Sequence, residues 1–238
     1  MRIAVFSDIH GNKHALDAVL ADIQNREPDL VVCLGDLVGY GAYPDAVVQT
    51  IRESGIPTVM GNYDDAIANR RLVCGCDYKD ERAMEAGIKS ITWTMENTGE
   101  ASKEFLLSLP DRIEQEIDGR RVLFVHGSPR KLNEYLYEDL PDTDILPMLQ
   151  EANADVLVCG HTHLPYHRVV EEHHVINAGS AGKPKHGDPR AVYALIEMDS
   201  DIRVDFIKVP YDFETAARAV EKAGLPAEFA SILRTGIG

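Results

Sequence analysis

The sequence predicts an α/β fold in which two packed sheets share one domain. Three observations carry that reading. Strands and amphipathic helices alternate through the first half, hairpin-like strand pairs dominate the second, and no linker, repeat or low-complexity stretch divides them. At 238 residues and 26.3 kDa the chain can bury one sizeable core.

The elements follow from local pattern. Residues 2–7 (RIAVFS) read as an apolar strand, and 12–24 as a helix with Ala15, Leu16, Val19, Leu20 and Ile23 on one face. Residues 30–34 form a second strand, 44–53 a helix opened by Pro44, and 56–60 a third strand. Short apolar strands with helical crossovers predict a parallel sheet covered on both faces. Residues 79–109 read as helical, anchored by Met84, Ile88, Ile91 and Trp93. RIEQEIDGRRVLFVH is a hairpin turning at Asp118-Gly119. Residues 165–170 with 174–177, and 191–198 with 202–207, are further strand pairs, and a helix near 144–151 and a strand at 155–159 precede them. A last helix, 212–223, packs Phe213, Ala216, Ala217 and Val220, so that 211–238 reads as a helical extension of a single domain 1–238.

Charge narrows the function. A net charge of −15 and a pI near 4.9 argue against a general nucleic-acid binder, because phosphate contacts need a basic surface. Carboxylates that hold divalent cations count as negative in that sum and are neutralised when loaded. MRIAVFSD enters a strand with no basic-then-apolar signal segment before it, and no apolar run approaches the roughly 18 residues of a membrane helix. A soluble, cytoplasmic protein is the expectation. Cys33 and Cys159 lie in apolar strands as buried thiols, whereas Cys74-Gly75-Cys76 lacks the spacing of common zinc sites and reads as a loop with two free thiols.

The chemistry sits at strand ends. Five apolar stretches run straight into polar side chains suited to metals: VFSDIHGN (Asp8, His10), VCLGDLVGYG (Asp36), VMGNYDD (Asn62), LFVHGSP (His126) and LVCGHTH (His161, His163). Taken singly, each has an ordinary explanation, since an aspartate after a strand caps helices or forms turns and a lone histidine is usually surface or core. Together they converge, because the C-terminal ends of strands in open α/β sheets are where loops form a shared crevice. Carboxylate, imidazole and amide without thiolate suit Mn²⁺, Fe or Zn²⁺. Seven such side chains exceed the needs of one ion and suffice for two, about 3.5–4 Å apart, sharing a carboxylate.

The ordered series Asp8-x-His10, Gly35-Asp36, Gly61-Asn62, His126, Gly160-His161-x-His163 resembles the calcineurin-like metallophosphoesterases, over residues 1 to about 210. The branch it looks most like is the YfcE-like phosphodiesterases, whose closing segment NAGSAGKPKHGDPRAVYALIE also resembles. The resemblance implies a four-layer α/β/β/α sandwich of two mixed sheets. It implies that Asp8, His10 and His163 hold one divalent ion and that Asn62, His126 and His161 hold another, with Asp36 bridging. Mn²⁺ is the expected metal, with Fe, Zn and Ni open. A hydroxide between the ions would attack the phosphorus of a small phosphodiester, or of a phosphomonoester.

Two departures shape the expectation. Leu37-Val38-Gly39 follows the bridging aspartate where many relatives have a second acid, and Tyr63 stands where many carry a histidine that assists the leaving group. General acid–base assistance is worth about 10²–10⁴-fold, less than the share carried by the metals. The expectation is therefore a slower or narrower enzyme, favouring aryl leaving groups, and the YfcE-like branch resembles this chain in lacking that histidine. Asp36, Asn62 and Tyr63 are the candidate catalytic residues, Tyr63 being either a packed aromatic or a substrate-contacting phenol. Asp64 orients its neighbours or caps the segment that follows, and His14 is an exposed first-turn residue. The basic loop KPKHGDPR, with Lys183 and His186, and Arg130 after HGSP are candidates for gripping phosphate oxygens, the alternative being a solvated loop. A binding protein that keeps the fold without useful catalysis, as a retromer subunit of this fold is thought to do, is the competing function, and a nuclease is disfavoured by the acidic charge. The physiological substrate depends on loops 63–80 and 128–142, and the oligomeric state is open.

Overall fold

The computed structural model describes residues 1–77 and 80–238. Residues 78 and 79, at the edge of the expected 79–109 helical region and within the 63–80 loop, lie outside the described residues.

β1 (Arg2–Phe6) and β2 (Leu30–Cys33) pair in parallel, with Ile3 opposite Leu30 and Phe6 opposite Cys33. The crossover between them is α1 (Lys13–Arg26), whose start is capped by the Asn12 side chain accepting from the Ala15 amide at 3.1 Å. α2 (Pro44–Ser54) follows, with proline at its first turn.

Residues 56–60 do not make the expected strand; a single parallel bridge joins Cys33 and Thr58. Pro57 has no amide to donate, and the Met60 amide turns away to the Pro110 carbonyl at 2.8 Å. An unexpected helix, α3 (Asn62–Ala68), starts at once. The helical region beyond it is two helices, α4 (Glu81–Glu96) and α5 (Glu100–Leu107). Of the expected anchors, Met84 and Ile88 are exposed, at 44% and 40%. α4 instead buries Ala86, Gly87, Ser90, Ile91 and Thr94, because small side chains let it lie close against its neighbours.

β3 (Arg112–Ile117) and β4 (Arg120–Val125) form the expected hairpin, and Asp118 (φ 51°) and Gly119 (φ 77°) supply the two positive φ angles of its turn. α6 (Asp142–Glu151), β5 (Val156–Cys159), β6 (Tyr166–Val170), β7 (His173–Asn177), β8 (Ala191–Met198) and β9 (Ile202–Val209) follow. The chain ends in α7 (Phe213–Lys222) and α8 (Ala227–Thr235).

The first sheet has the order β2-β1-β8-β9 and the second β3-β4-β5-β7-β6. Both are mixed: β1 meets β2 in parallel and β8 antiparallel, while β4, β5 and β7 run parallel and β3 and β6 close the edges antiparallel. The parallel sheet expected of the first half is thus only two strands, completed from the end of the chain. Strand alternation sets the layers. Ile3, Val5, Val32 and Leu34 face Phe124, Val156, Val158 and Ile176 between the sheets. Ala4 and Phe6 face Leu16 and Val19 of α1 on one outer side, and Leu123, Val125 and Leu157 face Ile145, Met148 and Leu149 of α6 on the other. The result is an α/β/β/α sandwich. α7 and α8 pack through Ala217, Val220, Phe229, Ala230 and Leu233 and reach Ala86 of α4. Among the described residues no helix is long and apolar enough to cross a membrane.

Candidate metal centre

The loops after β1, β2, β4 and β5 meet at one edge of the sandwich, and their backbone is unusual there. Asp8 (φ 55°), His10 (49°), Asp36 (51°), His161 (65°) and His163 (64°) all sit in the left-handed region. Such conformations cost roughly 1–3 kcal/mol each and persist only where the surroundings enforce them. Loop-to-loop hydrogen bonds do so here. The Asp8 amide donates to the Gly35 carbonyl at 3.0 Å, His10 to Asp36 at 2.8 Å and Gly11 to Leu37 at 2.8 Å, and the His161 amide donates to Asp8 Oδ2 at 3.0 Å. Asp64, at the start of α3, completes the frame. Its Oδ1 accepts from the amides of Leu37 (2.8 Å) and Val38 (3.3 Å), and its Oδ2 from Gly61 (3.0 Å). Burial pushes its carboxyl up to about 6, against the pull of those amides.

The imidazoles are fixed by the main chain. Nδ1 of His10, His126 and His163 lies 3.1, 2.8 and 2.6 Å from the carbonyls of Val38, Leu34 and Lys183. A carbonyl only accepts, so each Nδ1 carries the proton and each Nε2 presents a lone pair. Those lone pairs converge. His10 Nε2 is 3.1 Å from His163 Nε2, and His163 Nε2 is 3.2 Å from Asp8 Oδ1. His126 Nε2 is 2.9 Å from Asn62 Oδ1 and 3.2 Å from His161 Nδ1. Asn62 Nδ2 donates outward to the Cys74 carbonyl at 3.1 Å, leaving its oxygen pointed inward. Asp36 lies between the groups, with Oδ2 3.6 Å from His10 Nε2 and 3.5 Å from His126 Nε2, while its Oδ1 accepts from the Tyr63 amide at 2.8 Å. Asp8 Oδ1 and His161 Nε2 are buried without a hydrogen-bond partner.

Two sets result, Asp8–His10–His163 and Asp36–His126–His161, each with its donor atoms within 4.8 Å of one another. Burial and neighbouring positive charge hold His163 down to about 4 and His161 to about 2, so both are neutral at pH 7. Burial, with the charge of Asp8, pushes Asp36 well above the usual carboxylate range. A buried cluster of acceptors facing acceptors is unfavourable by itself. It becomes favourable around a cation, and the donor set suits a divalent ion of the Mn, Fe or Zn kind.

A cleft of about 390 Å³ opens over both sets. Tyr63 lines it, 1% exposed, with its ring centroid 4.6 Å from that of Tyr40 and 5.5 Å from that of His10. Gly39 (φ 94°) makes room for that ring, since a Cβ there would stand 2.6 Å from Tyr63 Cε1. Lys183 also lines the cleft, its Nζ 4.1 Å from the Tyr40 centroid, and burial pushes its pKa well down. Arg130 and His186 do not line it. The Arg130 guanidinium is held by Glu134, with Nη2–Oε1 at 2.6 Å and Nε–Oε2 at 3.2 Å, and borders neighbouring depressions. His14 packs on Tyr43, with ring centroids 5.5 Å apart, and is outside the cleft too. Cys74 and Cys76 are joined by a disulfide, which replaces the expected free thiols. Gly75 (φ 71°) folds the chain back and brings their Cα atoms to 5.4 Å. Cys33 and Cys159 are buried and free. Lys185 of the expected KPKHGDPR loop lines the cleft with Lys183, whereas Tyr40, Tyr135 and the α8 residues of its wall were not singled out from the sequence, since they carry no motif and reach the site only through tertiary packing.

Comparison with known proteins agrees with this geometry. Residues 1–201 match the model of the calcineurin-like phosphoesterase superfamily domain. The uncharacterized protein MJ0912 of Methanocaldococcus jannaschii is 34% identical over 241 residues, covering 94% of this chain and 93% of its own. The crystal structure of a metallophosphoesterase from Sphaerobacter thermophilus superposes with a TM-score of 0.80 at 30% identity, covering 100% of this chain and 99% of that one. The phosphodiesterase YfcE of Escherichia coli K12 is 25% identical over 201 residues, covering 84% of this chain and 89% of its own. The chain belongs to the calcineurin-like phosphoesterase superfamily.

Proposed function

We propose that the chain is a two-metal hydrolase of phosphoesters, acting on small phosphodiesters and, secondarily, on phosphomonoesters. The observation that carries this is the convergence of the Nε2 lone pairs of His10, His126 and His163 on Asp8, Asp36 and Asn62. Asp8, His10 and His163 are assigned to one divalent ion, Asn62, His126 and His161 to the other, and Asp36 to both. When bound, such a pair supplies an ionised water as nucleophile and offsets charge on the phosphoryl oxygens. Mn²⁺ is the proposed metal, and Fe, Zn or Ni would satisfy the same donors.

The chain's own residues do the rest. The carbonyls of Val38, Leu34 and Lys183 hold the imidazoles in one tautomer and orientation. Lys183, at the cleft wall, is assigned to the anionic oxygens of the substrate; Arg130 and His186 are left out of that role by their positions. Tyr63 walls the site as a packed aromatic and supplies no imidazole to protonate a leaving group. Esters with acidic leaving groups are the substrates that suffer least from that.

The test uses purified protein with Mn²⁺ against bis(4-nitrophenyl) phosphate and 4-nitrophenyl phosphate, with metal content measured on the same sample. Metal-dependent turnover, faster on the diester, is expected. Two bound ions without turnover of either ester would leave a binding protein instead.

A further inference from the structure

The cleft has two aromatic sides, each seated beside one of the ligand sets. On one side the Tyr135 ring lies over His161, with centroids 4.0 Å apart, and Tyr137 continues it almost parallel, at 5° and 5.7 Å. Tyr135 and Tyr137 are two residues apart, and their stacked rings lie on one face. Tyr135 is fixed by its hydroxyl accepting from the Asp77 amide, whereas Tyr137 is 42% exposed and offers its ring to the opening. On the other side Tyr40 stands 4.9 Å from His10, and Phe229 meets Tyr40 edge to face at 4.9 Å. Phe229 and Ile232, one turn apart on α8, face the same cleft. α8 lies beyond residue 201, where the superfamily match ends, so its part of this wall is an addition to the matched domain.

We infer that the cleft selects phosphoesters whose organic group carries a nucleobase, stacked on the Tyr135–Tyr137 ledge and confined by α8. Ring faces are sequence-tolerant platforms for bases, and an aliphatic alcohol would use neither the planarity of the ledge nor its exposed ring. Asp77 and Glu228 also line the cleft, Glu228 with its Oε2 3.5 Å from Arg82 Nε. They accept hydrogen bonds, which suits the N–H edge of a base and gives nothing to a bare phenyl ring. The selection rests on the phosphoesterase reading for its chemistry and on the aromatic walls for its preference.

The two can fail separately. Calorimetry on the Mn²⁺-loaded protein compares AMP, ribose 5-phosphate and phenyl phosphate, while turnover of bis(4-nitrophenyl) phosphate is followed on the same preparation. AMP is expected to bind at least about tenfold more tightly than ribose 5-phosphate. Tyr137→Ala, at an exposed position, should bring AMP to the level of ribose 5-phosphate without moving the latter, and Ile232→Ala should act in the same direction. Equal affinities for AMP and ribose 5-phosphate, or an AMP preference untouched by Tyr137→Ala, would overturn the inference. Phenyl phosphate binding as tightly as AMP would overturn the nucleobase and leave only a ring. Turnover without AMP preference sinks the inference alone, and AMP preference without turnover sinks the enzyme reading alone.

Discussion

His10 and His163 bring their Nε2 atoms to 3.1 Å although backbone carbonyls fix both as acceptors. Two lone pairs at that distance repel, and the fold bears the cost until a cation lies between them. Metal addition should therefore raise the melting temperature, and a chelator should lower it. At 100 Kd of free Mn²⁺ a single site contributes about 2.7 kcal/mol, several degrees at roughly 2–4 °C per kcal/mol for a chain of this size. Scanning calorimetry with and without Mn²⁺ checks this, and an unchanged melting temperature would remove the metal assignment.

Asp36 is the side chain that reaches imidazoles of both sets. Asp36→Asn should lower turnover by about 10³-fold or more, since the charge stabilisation of a two-metal site amounts to several kcal/mol. Elemental analysis should show tight binding lost at both sites. Asp8→Asn, by contrast, should release one ion and retain the other. Full activity in Asp36→Asn would show that this carboxylate is not shared.

Asp64 binds no metal in this account, yet three buried amides depend on it. Asp64→Ala leaves those of Leu37, Val38 and Gly61 without their acceptor. At about 1–3 kcal/mol per unsatisfied buried group, a loss of roughly 3 kcal/mol or more is expected by urea denaturation. Metal affinity should fall with it, because the same amides shape the loop carrying Asp36. Wild-type stability would mean that the loop keeps its shape by other contacts.

The pH dependence has a definite sign. His163 and His161 are held at about 4 and about 2 in the fold, against 6.5 when free. The unfolded chain therefore takes up protons first as pH falls below about 6.5, so acid favours unfolding. These histidines should cost the metal-free protein stability progressively as pH falls from 6.5 through 4 and, for His161, to about 2. Asp64 offsets this in part, because its raised carboxyl takes up its proton near pH 6 in the fold. Metal affinity of the folded protein should hold to lower pH and weaken only near pH 4, where His163 begins to take up a proton. A melting temperature flat from pH 7 to 5 would contradict this.

Gly39 and Tyr63 are a packing pair. Gly39→Ala should cost roughly 1–3 kcal/mol by forcing a Cβ against the tyrosine ring. In a Tyr63→Leu background the cost should shrink to the strain of φ 94° alone. An undiminished cost would assign the whole effect to the backbone.

Much of this centre was legible in the sequence because its donors follow apolar strands directly, and a strand end is a place in the fold as well as in the chain. The hairpin at Asp118-Gly119 was legible for a similar reason, since its turn chemistry is local. What local pattern could not show was set by distant partners. α3 begins at Asn62 where Asp64 can reach across to Leu37 and Val38, contacts 27 and 26 residues away. The left-handed backbone at Asp8 and His161 depends on bonds between separate loops. Met84 and Ile88 have the spacing of a buried stripe, but small residues on another face of α4 pack more closely. Arg130 looked like a phosphate ligand until Glu134, one turn on, took its guanidinium.

Neither ligand set belongs to one sheet. Asp8 and His10 follow β1 and Asp36 follows β2 in the first sheet, whereas His126 follows β4 and His161 and His163 follow β5 in the second. Whatever is held in either set is gripped by both layers at once and acts as a rivet through the sandwich. The two sheets cannot part along their common seam without first letting it go.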